Sequence, residues 1–443
     1  ATQVEHSQGF NTLETLAQEF EDYLEAHPSG RPADQRGQPQ KRKPKSGQGS
    51  APAQFRTPDG HLIYVGHSGK QNDQVTFSIG GPDDTWLHAR GVAGSHVIIR
   101  WDTAAEEEDP HTIETAAALA GGYWAVLDMP NTPPSTVDLP ALEVKLAAIG
   151  REAVCDWGVY FGASQSDNTP AYRAAAGRVC GLKIYNNATT GDLLIEDQAR
   201  RAAHYRAWPR RRTIAVHAEG GTVAEILALV RMTGQRTHFC HISTAEEIAL
   251  LRAAKAEDLP VTVGVTPHHL FLTEHDVAAL GSLGRMKPEL KTRADQAALW
   301  EAIAEGVVDV VESDHAPHTL AEKAADPAPS GVPGLETTLP LLLTAAREGR
   351  LSVERVIELV AERPRAIFGL AAPPDTYTVV DLDASTIIER GTLHTLCGWS
   401  PFEGMRVWGK VREVRVRGRV VFDGERVLAA PGSGQNLFAE GAA

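Results

Sequence analysis

Short runs of β-branched and aromatic residues alternate with Ala-, Leu- and Glu-rich stretches along most of this chain, and that rhythm restricts the fold more than any other feature. The runs cover 124–129, 157–162, 182–185, 213–217, 238–242, 261–265 and 307–312, and segments of helical composition separate most of them. Strands divided by helical connections lie parallel, because a parallel pair needs a long crossover. A first helix at 111–120 stops at Gly121-Gly122, the usual glycine end of a helix. Seven βα units are one short of a closed (β/α)8 barrel. The expected fold is therefore α/β: a (β/α)8-type (TIM) barrel over 106–372 with its first strand atypical or missing. Strands return at 377–382, 413–417 and 419–422, so 373–443 is predicted as a small C-terminal β module.

The N-terminal part is organised differently. Leu13, Leu16, Phe20 and Leu24 have helical spacing, and the pattern stops at His27-Pro28. Residues 29–53 lack periodic apolar content, and 31–45 hold six Lys or Arg against one Asp. A helix plus a basic disordered linker is expected over 1–52. Short strands at 61–65, 75–79 and 96–100 complete an N-terminal α+β segment. A net charge of −14 argues against nucleic acid as the partner of the whole molecule, while leaving a local basic patch open. The four cysteines (Cys155, Cys180, Cys240, Cys397) form no C-x-x-C pair and suit a reducing compartment. No apolar run approaches membrane-spanning length and no signal-peptide core opens the chain, so a cytoplasmic location without membrane contact is expected.

The residues closing the barrel strands carry the chemistry, because strand C-termini face a barrel's active-site mouth. Lys183 lies in Gly181-Leu182-Lys183-Ile184-Tyr185, His217 ends Ala215-Val216-His217, and His241 follows Phe239-Cys240. Asp314 stands in Ser313-Asp314-His315-Ala316-Pro317-His318. Neutral imidazoles suit zinc, and a carboxylate offers both a hard oxygen ligand and a base. A cationic lysine is a poor ligand. Carbon dioxide would convert it to a carbamate able to bridge two cations. Together these groups would bind one or two zinc ions, acidify a water and direct it at a carbonyl.

Further runs occur in order: Asp128-Met129-Pro130-Asn131-Thr132, Thr266-Pro267-His268-His269-Leu270, Gly334-Leu335-Glu336-Thr337 and Gly398-Trp399-Ser400-Pro401-Phe402-Glu403-Gly404. With the lysine and aspartate runs above, residues of about 109–438 resemble a dihydroorotase of the cyclic amidohydrolase superfamily. The resemblance is to the type found as a domain of the multifunctional pyrimidine-synthesis protein. It implies that Lys183 is a carboxylated bridging ligand, that His217 and His241 bind the second zinc, and that Asp314 is a zinc ligand and the general acid/base. It further implies Asn131 and His318 on the substrate carboxylate, Thr189 on a mobile loop closing over dihydroorotate, and the backbone near Gly331 against its ring. The implied reaction is the reversible closure of N-carbamoyl-L-aspartate to L-dihydroorotate, in at least a homodimer.

Departures from the family pattern are specific. The family opens its barrel with H-x-H-x-R, and this chain contains no H-x-H. The nearest segment is His96-Val97-Ile98-Ile99-Arg100, which would offer His96 to the first zinc and Arg100 to the substrate carboxylate, with Ile98 in place of the second histidine. Lys287 stands where the relatives carry arginine, keeping the charge but not the bidentate geometry. Gly264 replaces a glutamate linked to an extra metal, so no third zinc is expected.

Residues 53–105 resemble another family. Thr57-Pro58-Asp59-Gly60, Val65-Gly66-His67-Ser68-Gly69-Lys70 and Asp84-Thr85-Trp86-Leu87-His88-Ala89-Arg90-Gly91 are similar to the NFACT-R module of ribosome-associated quality control. That resemblance implies RNA or ribosome contact and makes 96–100 the module's own terminal strand. Three readings therefore compete. They are a working or weakened dihydroorotase-like zinc enzyme, an RNA- or ribosome-binding protein with an inactive barrel, and a related cyclic amidohydrolase such as a hydantoinase or allantoinase.

Overall fold

The computed structural model describes Ala53–Arg56, Leu62–Val65, Val75, Thr85–Leu87, Val97–Arg100, 110–189 and 191–439. These residues fall into two compact units divided between Asp102 and Thr103. The expected helix through Leu13–Leu24, the basic linker up to residue 52, and 76–79 lie outside the described residues.

In the first unit, β1 (Ala53–Arg56), β2 (Leu62–Val65), β3 (Thr85–Leu87) and β4 (Val97–Arg100) form an antiparallel sheet in the order β1-β2-β4-β3. Leu62 pairs with Arg100 and Val65 with Val97 on one side of β4; Thr85 pairs with Ile99 on the other. Both backbone edges of β4 are thus taken, and a strand has only two. That pairing counts against Arg100 as part of a barrel strand and agrees with reading Val97–Arg100 as a strand of the N-terminal segment. The segment is an internal strand of its own sheet, and His96 itself lies outside the described residues.

The second unit begins with α1 (Pro110–Ala120), followed by β5 (Ala125–Asp128), α2 (Leu139–Glu152), β6 (Asp156–Gly162) and β7 (Gly181–Tyr185). Then come α3 (Gln198–Ala207), β8 (Thr213–His217), α4 (Gly221–Thr233), β9 (Thr237–Phe239), α5 (Ala245–Ala256), β10 (Val261–Val265), α6 (Arg293–Ala304) and β11 (Val310–Val311). The seven strands are parallel and neighbour one another in chain order from β5 to β11. This is the expected (β/α)8-type barrel without its first strand. Every residue of β6 to β9 is buried, whereas each residue of the edge strand β5 is only partly so. The other edge, β11, is a two-residue ladder on Gly264 and Val265, shorter than the run 307–312, and no strand among the described residues pairs its outer side.

Local chemistry explains the crossovers. Val223, Ile226, Leu227 and Val230 follow i, i+3, i+4, i+7 spacing on α4 and are all buried against the sheet, each contributing about 1.5–3 kcal/mol. Helix α5 opens on a capping box of Thr244 and Glu247, and α4 closes on Gly234 in the left-handed region (φ 62°). Helix α7 (Leu335–Arg347) follows β11.

The chain ends in an antiparallel sheet of β12 (Tyr377–Ile387), β13 (Arg406–Val416) and β14 (Arg419–Phe422). Val411, Val414 and Phe422 pack on Ala118 and Leu119 of α1 and on Leu335 of α7. Its first two strands are longer than expected. A pairing irregularity between Asp381 and Ser385 interrupts the alternation that marks a strand. Among the described residues, no helix is long and apolar enough to cross a membrane.

Candidate active site at the strand tips

Strand β7 buries Lys183 in the barrel, with 2% of its surface exposed. Its Nζ donates to Cys240 Sγ at 3.1 Å and lies 5.3 Å from the centre of the Tyr185 ring. Among the described residues no carboxylate forms an ion pair with it. A buried ammonium held by a thiol and an aromatic face is poorly compensated.

His217 closes β8 and meets His241, just past β9, with Nδ1 3.1 Å from Nε2. The other nitrogen of His217 faces Glu219 Oε1 at 2.9 Å. A carboxylate only accepts, so His217 donates there from Nε2 and accepts at Nδ1 from His241. His241 Nδ1 is then a buried lone pair without a partner. Burial, reinforced for His241 by the adjacent His217 ring and the Lys183 ammonium, holds both imidazoles below their ordinary pKa. Both are neutral at pH 7, as metal ligands must be.

Asp314 follows β11 in the left-handed region (φ 43°), a conformation that aspartate tolerates better than most residues. Burial first, and the charge of Glu312 second, raise its carboxyl to about 7, against the opposing pull of Lys183. His268 Nε2 stands 3.9 Å from Asp314 Oδ2 and has no hydrogen-bond partner.

The sequence reading missed a second group. His238, Cys240 and Glu312 bring one ligand atom each to within 4.8 Å of one another, close enough to share a cation. Glu312 also accepts the His241 backbone N–H. A Cβ at Gly264 would sit 2.5 Å from Glu312 Oε1 and 2.9 Å from His238 Nε2, so Glu312 fills the space that glycine opens. The signal was present: residues 238 and 240 share one strand face, and Glu312 precedes Asp314 by two. Glu219, two residues after His217, was equally legible.

The substrate-binding candidates form two groups. Asn131 follows β5 on a segment that Lys145 of α2 anchors through Asp128, Met129 O and Thr132 Oγ1. The loop carrying Thr189 returns beside it, with a Gly191 Cβ only 3.4 Å from that of Asn131. In the second group, a Cβ at Gly331 would lie 3.2 Å from the His318 ring, and Gly331 N donates to Arg285 O at 3.0 Å. Lys287 follows two residues later, with Nζ 3.1 Å from Glu289. The Lys323 ammonium locks this group by donating to Arg285 O, Pro329 O and Gly331 O.

In sequence, the chain is 37% identical over 417 residues to a dihydroorotase of Halobacterium salinarum, covering 84% of this chain and 96% of that protein. The chain belongs to the dihydroorotase family. It is also 42% identical over 352 residues to the multifunctional protein CAD of Squalus acanthias, spanning 79% of this chain but only 15% of that much longer protein. No family model matches. Among solved structures, this dihydroorotase-family chain is similar to the inactive dihydroorotase-like domain of the Chaetomium thermophilum CAD-like multifunctional protein. The TM-score is 0.64 at 29% identity, over 75% of this chain and 93% of that one. It also matches the L-hydantoinase of Arthrobacter aurescens with TM-score 0.69 at 25% identity, over 74% and 83%. The fold is thus that of the cyclic amidohydrolases.

Proposed function

We propose that this dihydroorotase-family hydrolase interconverts N-carbamoyl-L-aspartate and L-dihydroorotate as a zinc enzyme of pyrimidine synthesis. One observation carries the reading: Lys183, His217 and His241 come from the consecutive strands β7, β8 and β9, with the His217 and His241 rings in contact and the Lys183 charge acting on the Asp314 carboxyl after β11. Two features support a cation there. The buried His241 Nδ1 lacks a partner, and both imidazoles are neutral. Carboxylation of Lys183 would exchange an ill-matched ammonium for an anion, giving a donor set of carbamate, two imidazoles and Asp314 that suits zinc. Zinc held by that set would supply Lewis acidity toward the amide carbonyl.

The chain's own residues do the rest. Asp314 would take a proton and return it to the ring nitrogen as the amide bond breaks. Asn131 and His318 would hold the substrate carboxylate, helped by the charge of Lys287. The Gly331 backbone would face the ring, and Thr189 would close over it. With no H-x-H in the sequence, the first of two zinc positions is short of ligands, so one tightly held zinc and weak turnover are expected.

A second reading is an inactive barrel, favoured by the internal place of β4 and by the similarity to the inactive Chaetomium domain. On either reading, residues 53–105 are proposed to be an NFACT-R-type element that contacts RNA or the ribosome, in a cytoplasmic homodimer. Metal content measured alongside dihydroorotate turnover separates the readings. Zinc with turnover supports the first, and a protein that binds neither zinc nor dihydroorotate supports the second.

A further inference from the structure

Beside Asp314 lies a carboxylate that the reaction does not use. Glu114 of α1 reaches the tip of β11, where its Oε2 lies 2.6 Å from His315 Nε2. The same carboxylate accepts from Thr395 Oγ1, at 3.0 and 2.8 Å, and from Leu396 N at 3.1 Å. On the far side of the ring, His315 Nδ1 accepts from Gly334 N at 3.0 Å and from Leu335 N at 3.4 Å. A nitrogen that accepts two backbone N–H groups carries no proton, so the ring proton must sit on Nε2 and point at Glu114. Burial pushes the Glu114 carboxyl up, but the hydrogen bonds from His315, Thr395 and Leu396 more than reverse this and keep it ionised. The imidazole is thereby held at both ends in one tautomer.

The position explains why such a clamp matters. Among the described residues, strand β11 is an open edge of the sheet with a two-residue ladder, and no neighbouring strand braces the outer side of the turn after it. Asp314 must nevertheless keep a left-handed backbone, which persists only when the surroundings over-determine it. The residue directly after it is His315, whose backbone bridges to Val332 and whose ring is fixed by Glu114. We propose that Glu114 is a positioning residue: by anchoring the Nε2–H end of the His315 ring it holds the Asp314 carboxylate in its working orientation. This rests on the reading of Asp314 as the acid/base and metal ligand.

The test uses the full chain with Glu114→Ala, Glu114→Gln and Thr395→Val. Nitrogen NMR of the histidine rings should show His315 in the Nε2–H form in the parent, with that proton protected from exchange with water. In Glu114→Ala the Nε2–H loses its acceptor and should exchange faster, with protection largely restored in Glu114→Gln, whose amide oxygen can still accept. Crystal structures should show Asp314 leaving positive φ only in the alanine variant. Zinc affinity should fall by about 10–100-fold there, the usual effect of losing a partner behind a ligand. Thr395→Val removes a tether to the C-terminal segment but not the ring contact, and should change neither the exchange nor φ. Unchanged Nε2–H exchange and unchanged Asp314 φ in a folded Glu114→Ala protein would overturn the proposal. If the parent itself binds no zinc, the proposed function fails, while ring-proton exchange and φ still decide the role of Glu114.

Discussion

Lys183 Nζ lies 3.1 Å from Cys240 Sγ inside the barrel, and neither side chain meets bulk water. The contact joins β7 to the end of β9 and leaves the ammonium without a carboxylate partner. In metal-free, bicarbonate-free protein, Lys183→Met should therefore be neutral or stabilising, by about 1–4 kcal/mol in denaturant unfolding. A large loss of stability would mean that the ammonium is better compensated than its contacts indicate.

Asp314 gives a pH signature. Its carboxyl is raised to about 7 from 3.8, so the folded protein holds the proton over an interval in which the unfolded chain has released it. Stability of the metal-free protein should fall as pH rises from about 4 to about 7. Asp314→Asn cannot ionise and should escape that loss. Its advantage in Tm should be absent below about pH 3, grow across the window and level off above about pH 8. With zinc and bicarbonate, any turnover by the parent should drop by several orders of magnitude in the same variant.

Gly264 and Glu312 should be energetically coupled. Gly264→Ala drives a methyl against the Glu312 carboxylate and should cost about 1–3 kcal/mol. In a Glu312→Ala background the same change should cost much less, giving a clear coupling energy in a double-mutant cycle. Additive costs would show that Glu312 does not occupy that space in solution.

Ile98→His tests the strand-1 question. It recreates H-x-H-x-R, yet β4 is paired on both edges within its own sheet. The variant should gain neither zinc nor turnover. A tenfold rise in activity would show that 96–100 can leave that sheet for the barrel.

The barrel was legible because each buried strand is a compact apolar run and the helices between them carry caps and apolar stripes. Thr213–His217 and Val261–Val265 match their runs residue for residue. The sequence overstated β11, since ladder length depends on a neighbour that one chain segment cannot reveal. It understated β12, where Asp381 to Ser385 break the alternation. Lys183, His217, His241 and Asp314 were legible as polar residues ending apolar runs. Glu312 was read as part of the strand and Glu114 was not singled out within its helix, because their partners lie 71 and 201 residues away. The H-x-H-x-R likeness of 96–100 shows the converse limit. Alternation on a strand says which residues share a face, not which sheet the strand joins.

The central claim is that Lys183, His217 and His241 form a zinc site that survives without strand 1. Zinc per chain, measured by elemental analysis after preparation with zinc and bicarbonate, tests it most directly. The account predicts about one zinc in the parent and almost none in Lys183→Ala. Zinc at background in the parent, or equal zinc in both proteins, would contradict it.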